Sequence, residues 1–381
     1  MRFVMDHETG LWTMTELCRR HGISRPTGYE LVERFGREGV AGLADRKRAP
    51  ERHPNQLAVA LAERILELRR QHSSWGARKL RAYLERKHPR SPWPVASTIG
   101  ELLKREGLSA PRRKRRRTPP YTQPFVTVDG PNQTWCMDFK GWFRTRDGER
   151  IDPFTMSDAF SRYLLRCQAV ERSNTEQVQA IMEAAFREYG MPVAVRSDNG
   201  PPFASRALAG LCRLSVYLLK LGIVAERIQP GHPEQNGRHE RMHRTLQAEA
   251  ANPPARNRRE QQQKLESFRR EYNQERPHEA LGQQTPASCY CASPRPFPGR
   301  VPEPEYDHGM AVRTVQEHGQ FPWKMHDVFL SKALRGERIA LLPIDDRYYQ
   351  VYFCSSVLGR FDSHQRRVEP LQKYHGEKRG R

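Results

Sequence analysis

Residues 111–120, PRRKRRRTPP, set the first constraint on how this chain can fold. Six consecutive cations, Arg112, Arg113, Lys114, Arg115, Arg116 and Arg117, repel one another and cannot be buried together, so no compact core runs through them. Whatever folds must fold on either side, and 381 residues are enough for two or three such bodies. The run concentrates an excess that extends over the whole chain. Lys and Arg number 65 against 44 Asp and Glu, a formal net charge of +21. That excess points to a polyanion, nucleic acid above all, and a linker of this kind can track phosphates while it spans. An anionic membrane is the competing partner, but the sequence carries no run of about 18 apolar residues and no signal-peptide pattern. Seven scattered cysteines without a CxxC pair argue for a reducing compartment and against a disulfide framework.

On the N-terminal side, residues 14–36 read as two short helices around a tight turn. Gly22 stops the first, Ser24 caps the second and Pro26 sits in its first turn. Leu17, Ile23, Tyr29, Val32 and Phe35 can share a small core. This is helix-turn-helix patterning within residues 1–50, with SRPTGYELVERF as recognition helix and Arg25 and Thr27 as its candidate DNA contacts. An ordinary helical hairpin is the alternative. Residues 51–110 repeat the theme. Leu57, Leu61, Ile65 and Leu68 fall on one helical face, and two more helices follow over 75–86 and 95–108, the last capped by Ser97 with Ile99, Leu102 and Leu103 inward. Residues 111–129 are the basic linker.

Past residue 130 the pattern changes. A strand over 133–143, two strands over 149–171 turning at DAFSR, a capped amphipathic helix over 174–190, a short strand over 193–200, a helix over 205–222 and a strand over 224–229 argue for an α/β domain with a mixed sheet. A further helix starts near Asn236. Residues 291–307 form a Pro-rich linker, 308–368 a small β domain, and 369–381 a basic tail.

Three acids stand out. Asp138 lies in a strand among Trp135, Met137 and Phe139, where a carboxylate is costly unless paired or metal-bound. Asp198 ends a short strand just before Asn199 and Gly200, and strand ends of open α/β sheets are where sites are built. Glu240 lies near the start of the following helix. Clustered carboxylates repel and need cations to stay ionised, and Mg2+ suits a few carboxylates plus phosphate oxygens. The same helix carries His239-Glu240-Arg241-Met242-His243, which fits the zinc-protease pattern H-E-x-x-H. The longer form of that pattern fails at Leu246 and Glu249, and Arg238, Arg241 and Arg244 disfavour a dication while suiting DNA. The two histidines are therefore expected to contact DNA or to cap nearby charge.

WCMDF, RSDNG and HPEQNGRHERMHRTL, with SDAFSR and YNQERPHEALGQQTPASCY, resemble the DDE-type transposases of bacterial insertion sequences, whose integrase core belongs to the retroviral-integrase superfamily. The resemblance is specific over residues 130–290. It implies N-terminal all-α helix-turn-helix units, a central α/β ribonuclease H-like core with a mixed sheet flanked by helices, and a small C-terminal β-barrel. It also implies Asp138, Asp198 and Glu240 as catalytic metal ligands, two Mg2+ ions in the active complex with Mn2+ as substitute, and Asn199, Gly200, Asn236 and Gly237 shaping the site. The implied activity is cutting and joining of transposon ends at terminal inverted repeats, on double-stranded DNA, by a homo-oligomer of at least two chains in the bacterial cytoplasm, on the nucleoid when DNA-bound. Between Asp198 and Glu240 lie 41 residues, more than the family's usual spacing, so Glu240 rests on NGRHER and Glu234 is the alternative. A catalytically inactive DNA-binding regulator, a nuclease that never joins, and a zinc protease are the other readings.

Overall fold

The computed structural model describes residues 1–45, 57–109, 128–172, 174–198, 200, 202–203, 210–228 and 237–370. The basic run 112–117, Asn199, Glu234 and Asn236 lie outside the described residues, and of Arg238 only the backbone is described. The chain forms two compact units, 1–58 and 59–381. No described helix is long and apolar enough to cross a membrane.

The first unit holds α1 (Arg2–Glu8), α2 (Met14–His21) and α3 (Arg25–Glu38). A capping box starts α2: the Thr13 hydroxyl accepts the Glu16 N–H, and the Glu16 carboxylate accepts the Thr13 N–H. Gly22, at φ 65°, ends the helix in the left-handed region. Ser24 caps α3 by accepting the Thr27 N–H at 3.3 Å, with Pro26 in the first turn. α2 and α3 approach closely because Gly28 has no side chain; a Cβ there would fall 2.5 Å from Cys18 Sγ. Phe3, Val4, Leu17 and Cys18 form the core, with Ile23, Val32 and Phe35 against it. Tyr29, expected in that core, is 56% exposed. Its neighbour Gly28 takes the inward position, and Tyr29 joins Arg25 and Thr27 on the exposed start of α3. α1 closes the core, although no sequence pattern announces it.

The second unit begins with α4 (Val59–Gln71), α5 (Ala77–Lys87) and α6 (Ala96–Arg105) around Ile65, Leu68, Trp75, Leu80, Leu84, Ile99, Leu102 and Leu103. α6 follows Val95, which offers no side-chain cap; Ser97, expected as the cap, is exposed inside the first turn. Then come β1 (Thr134–Phe139), β2 (Phe143–Arg144), β3 (Arg150–Asp158), β4 (Leu164–Val170), α7 (Thr175–Tyr189), β5 (Ala194–Ser197), α8 (Arg213–Lys220), β6 (Val224–Arg227), α9 (Gly237–Leu246) and α10 (Arg258–Gln274). β1 runs antiparallel to β3 and parallel to β5, and β5 is parallel to β6, with β2 and β4 on β3: a mixed six-stranded sheet. Alternation along β1 and β3 splits the layers. Trp135, Met137, Phe154 and Met156 face α7 and α8, while Ile151, Leu164 and Cys167 face Met242 and Leu246 of α9 and Leu265, Phe268 and Tyr272 of α10. Buried Asp158 holds the turn between β3 and β4, accepting the Ser161 N–H and O–H at 2.7 and 2.6 Å and the Asn132 N–H at 2.8 Å. Polar contacts tie α4–α6 to this core. Buried Arg276 pairs with Glu249 at 2.6 Å and reaches Ser74, and His72 Nδ1 meets Glu271 at 2.9 Å.

The C-terminal part contains β7 (Ala311–Thr314), β8 (Gln320–Trp323), β9 (His326–Phe329), β10 (Arg338–Pro343), β11 (Tyr348–Phe353), β12 (Ser356–Asp362) and β13 (Arg367–Pro370). The expected closed barrel is not what forms. Five strands make an open sheet in the order β13-β12-β11-β10-β7, and β8–β9 is a separate hairpin. The hairpin lies beside β7 and β13 without the ladder bonds that would close the sheet.

Candidate active site

The register of neighbouring strands directs the two aspartates toward one edge of the sheet. β1 and β5 pair in parallel as Thr134↔Ala194, Trp135↔Val195 and Cys136↔Arg196. The observed pairing ends there; extended by two residues, the same register would bring Asp138 and Asp198 to the carboxyl ends of these neighbouring parallel strands. This is the edge where open α/β sheets place their sites. Asp138 is half-buried, and its antiparallel partner is Thr155 of β3. Asp198 has left β5 and turns back on itself: its Oδ1 accepts the Gly200 N–H at 3.1 Å. A Cβ on Gly200 would stand 3.1 Å from Asp198 Oδ2, so glycine leaves that carboxylate its position. Below it, Arg196 donates from Nε and a terminal nitrogen to Glu226 Oε2 at 3.0 and 2.8 Å, a buried ion pair across β5–β6.

Glu240 sits in the first turn of α9, three residues after Gly237, and is exposed. Arg241 and Arg244 are exposed on the same helix. Among the described residues no three His, Cys, Asp or Glu side chains stand close enough to share one ion, so Glu240 is not gathered with the aspartates in this conformation. The helix geometry explains its placement. His239, Met242, His243 and Leu246 recur at helical spacing and fill the inner face, which leaves position 240 outside.

The two histidines are therefore not DNA contacts, and they cap no charge. His239 is 3% exposed. Thr155 donates its hydroxyl proton to the Asp138 carbonyl at 3.1 Å, and the same oxygen accepts from Nε2 of His239 and Nε2 of His243, each at 2.8 Å. This assignment makes both imidazoles neutral Nε2–H tautomers and uses the hydroxyl's one donor and two acceptor positions. Ser157 Oγ lies 3.5 Å from His239 Nδ1. The H-E-x-x-H spacing thus directs two rings onto one threonine, with both Nε2 atoms occupied, and zinc ligation has no place in the arrangement. Thr155 was not legible as a site residue; only its pairing with Asp138 reveals it. Thr155→Val should leave two buried N–H groups without an acceptor, at about 1–3 kcal/mol each, while Thr155→Ser should unfold near wild type. Denaturant midpoints of the two variants check this.

Burial holds the pKa of His239 well below the ordinary histidine value and that of His243 down to about 4, with Lys140 adding to the latter. His278, edge-on to Tyr272 at 4.6 Å with its Nε2 buried, is held down to about 3 by burial, with Lys79 and Arg276 adding. The folded state keeps these rings neutral while the unfolded chain protonates them near pH 6.5, so their stabilisation is full above about 6.5 and is lost as pH falls toward 4. Each ring contributes up to about 1.4 kcal/mol per pH unit in that window. Unfolding titrations between neutral pH and 4 should show that slope, and a flat profile contradicts it.

Known proteins place these features in context. Residues 128–233 and 221–286 match the integrase core domain, 1–51 a helix-turn-helix domain, 27–103 a homeodomain-like domain, and 310–369 the C-terminal domain of the IS481 family transposases. The chain is 30% identical over 250 residues to the insertion element IS476 uncharacterized 39.2 kDa protein of Xanthomonas euvesicatoria, covering 64% of this chain and 69% of that protein. It is 28% identical over 243 residues to the insertion element IS407 uncharacterized 31.7 kDa protein of Burkholderia multivorans, covering 62% and 81%. Among solved structures, the HTLV-2 integrase catalytic core domain in complex with magnesium (trimeric form) aligns with 43% of this chain and 99% of that chain at 15% identity and a TM-score of 0.34. The helix-turn-helix and integrase-core matches, and the insertion-element relatives, place the chain among the DDE-type insertion-sequence transposases with an integrase catalytic core.

Proposed function

We propose that this chain recognises the terminal inverted repeats of its element and joins those ends to target DNA. Water cleaves a phosphodiester to free a 3′-OH, and that hydroxyl attacks a target phosphate, forming a new phosphodiester as the target strand's own P–O3′ bond breaks and its 3′-oxygen leaves. The observation that carries the reading is the parallel register of β1 and β5, which, extended past Cys136↔Arg196, points Asp138 and Asp198 toward the same carboxyl edge of the sheet. An all-carboxylate donor set suits Mg2+, with Mn2+ as substitute, and Asp138, Asp198 and Glu240 would hold two ions. Glu240 completes the set by turning in from the exposed face of α9. When bound, the pair of cations supplies neutralising charge for the phosphate and its flanking oxygens.

The chain's own residues do the rest. Thr155 fixes the Asp138 backbone and the start of α9 to one atom, and Gly200 leaves the Asp198 carboxylate its position. Exposed Arg241 and Arg244 sit on α9 with Glu240, and we assign them to DNA phosphates together with Arg238 and the basic run 112–117. Arg25 and Thr27, exposed at the start of α3, are assigned to reading the terminal repeat. Asn199, Asn236 and Gly237 are assigned the role of shaping the site. Joining two ends in one event requires two active sites, hence at least a homodimer on DNA, in the bacterial cytoplasm. Incubation with the element's own ends, a target plasmid and Mg2+ or Mn2+ should yield joined products. End binding without nicking or joining under either cation contradicts the proposal.

A further inference from the structure

Trp142 is 55% exposed, in the loop that leaves β1. Gly141, at φ 96°, turns the chain outward there and donates its N–H to Asp152 Oδ1 at 3.2 Å. The Arg150 guanidinium lies 4.8 Å from the Trp142 ring centroid and that of Arg144 lies 6.0 Å away, with exposed Arg146 next in the chain. Lys140 Nζ stands 5.5 Å from the adjacent Phe143 ring. Of the described acids nearby, Asp152 feels the charge of Arg150 and Lys140 without forming a direct ion pair with either. Asp147 accepts the Thr145 hydroxyl at 2.6 Å, Glu149 pairs with Arg258 at 3.5 Å, and Asp152 receives the Gly141 amide. Among the described residues, Arg144, Arg146 and Arg150 form no ion pair with a carboxylate.

An exposed ring edged by two such cations, with Arg146 exposed two residues beyond Arg144, suits a planar group that carries negative charge alongside it: a nucleobase on the ring, its phosphates on the guanidiniums. A base inside a duplex has both faces covered, so only a terminal base or a base out of the stack offers a face to the ring. Location agrees with this. Trp142 follows Asp138 by four residues off the carboxyl end of β1, a stretch that covers at most roughly 14 Å, so the ring stands within a few nucleotides of that acid. We propose that Trp142 is a stacking platform for an unpaired base at a DNA end, with Arg144, Arg146 and Arg150 on the flanking phosphates. The inference rests on the DNA-joining reading above and adds to it a single-stranded element of the substrate.

The test uses the full chain without divalent cations and two probes: a short single strand carrying one 2-aminopurine, and a duplex closed by hairpins at both ends. Wild type and Trp142→Phe should bind the single strand and quench the 2-aminopurine. Trp142→Ala should bind it about 5- to 150-fold more weakly, while closed-duplex affinity stays within about twofold. Circular dichroism melts of the variants should coincide, since the ring is outside the core. Equal single-strand affinity for Trp142→Ala and wild type overturns the proposal, as does an equal loss on both probes. If wild type joins ends and the Trp142→Ala affinity is unchanged, the stacking platform alone fails. If wild type binds neither probe, the DNA-joining reading fails with it.

Discussion

Asp138→Asn, Asp198→Asn and Glu240→Gln should each bind element ends with near wild-type affinity and join them at least about a thousandfold more slowly. The magnitude follows from their proposed role: groups that only support a metal ligand cost roughly 10- to 100-fold when removed, and a ligand itself costs more. The amide swaps preserve volume and hydrogen-bonding capacity, so folding is not the quantity being tested. Asp198→Asn still accepts the Gly200 N–H through its amide oxygen. Glu240 is exposed, and its replacement leaves His239, Met242 and Leu246 in the core untouched. Gel-shift affinity and joining rate, measured on the same preparations, separate binding from chemistry. Glu234→Gln is the matched control and should join ends at the wild-type rate.

The second large effect is on stability. Arg196→Met should destabilise the second unit by about 3–5 kcal/mol, because it leaves the Glu226 carboxylate buried without its cation. The double substitution Arg196→Met with Glu226→Leu should recover most of the loss, since apolar side chains of similar volume replace a buried ion pair at little cost. Urea unfolding of the single and double variants gives the comparison. A single variant as stable as wild type would mean that the pair contributes nothing beneath the acids.

Much of this architecture is legible in residue patterns, and the failures have identifiable causes. Asp138 announces itself because a carboxylate amid Trp135, Met137 and Phe139 needs a reason to be there. The caps at Ser24, Asn174 and Gly190 place helix ends to within a residue. Pairing is different. Nothing local says that β1 lies beside β5, about sixty residues away, and only that register directs Asp138 and Asp198 toward one edge. Thr155 is invisible for the same reason: threonine is an ordinary strand residue, and its meaning comes from standing opposite Asp138. The histidines mislead because imidazole is polar by type and here satisfied by one buried hydroxyl. Tyr29 misleads because the small residue beside it, Gly28, takes the contact position. Short alternating strands read as β, but whether the sheet closes depends on hydrogen bonds between its edge strands, which alternation does not encode.

Asp138, Asp198 and Glu240 are proposed to act as one cation-binding set. Titration of Mn2+ into the protein bound to its element ends, read by electron paramagnetic resonance, tests this proposal most directly. Wild type should take up two ions per active site tightly, and Asp138→Asn, Asp198→Asn and Glu240→Gln should all show weakened uptake. Uptake by Glu240→Gln indistinguishable from wild type would contradict it.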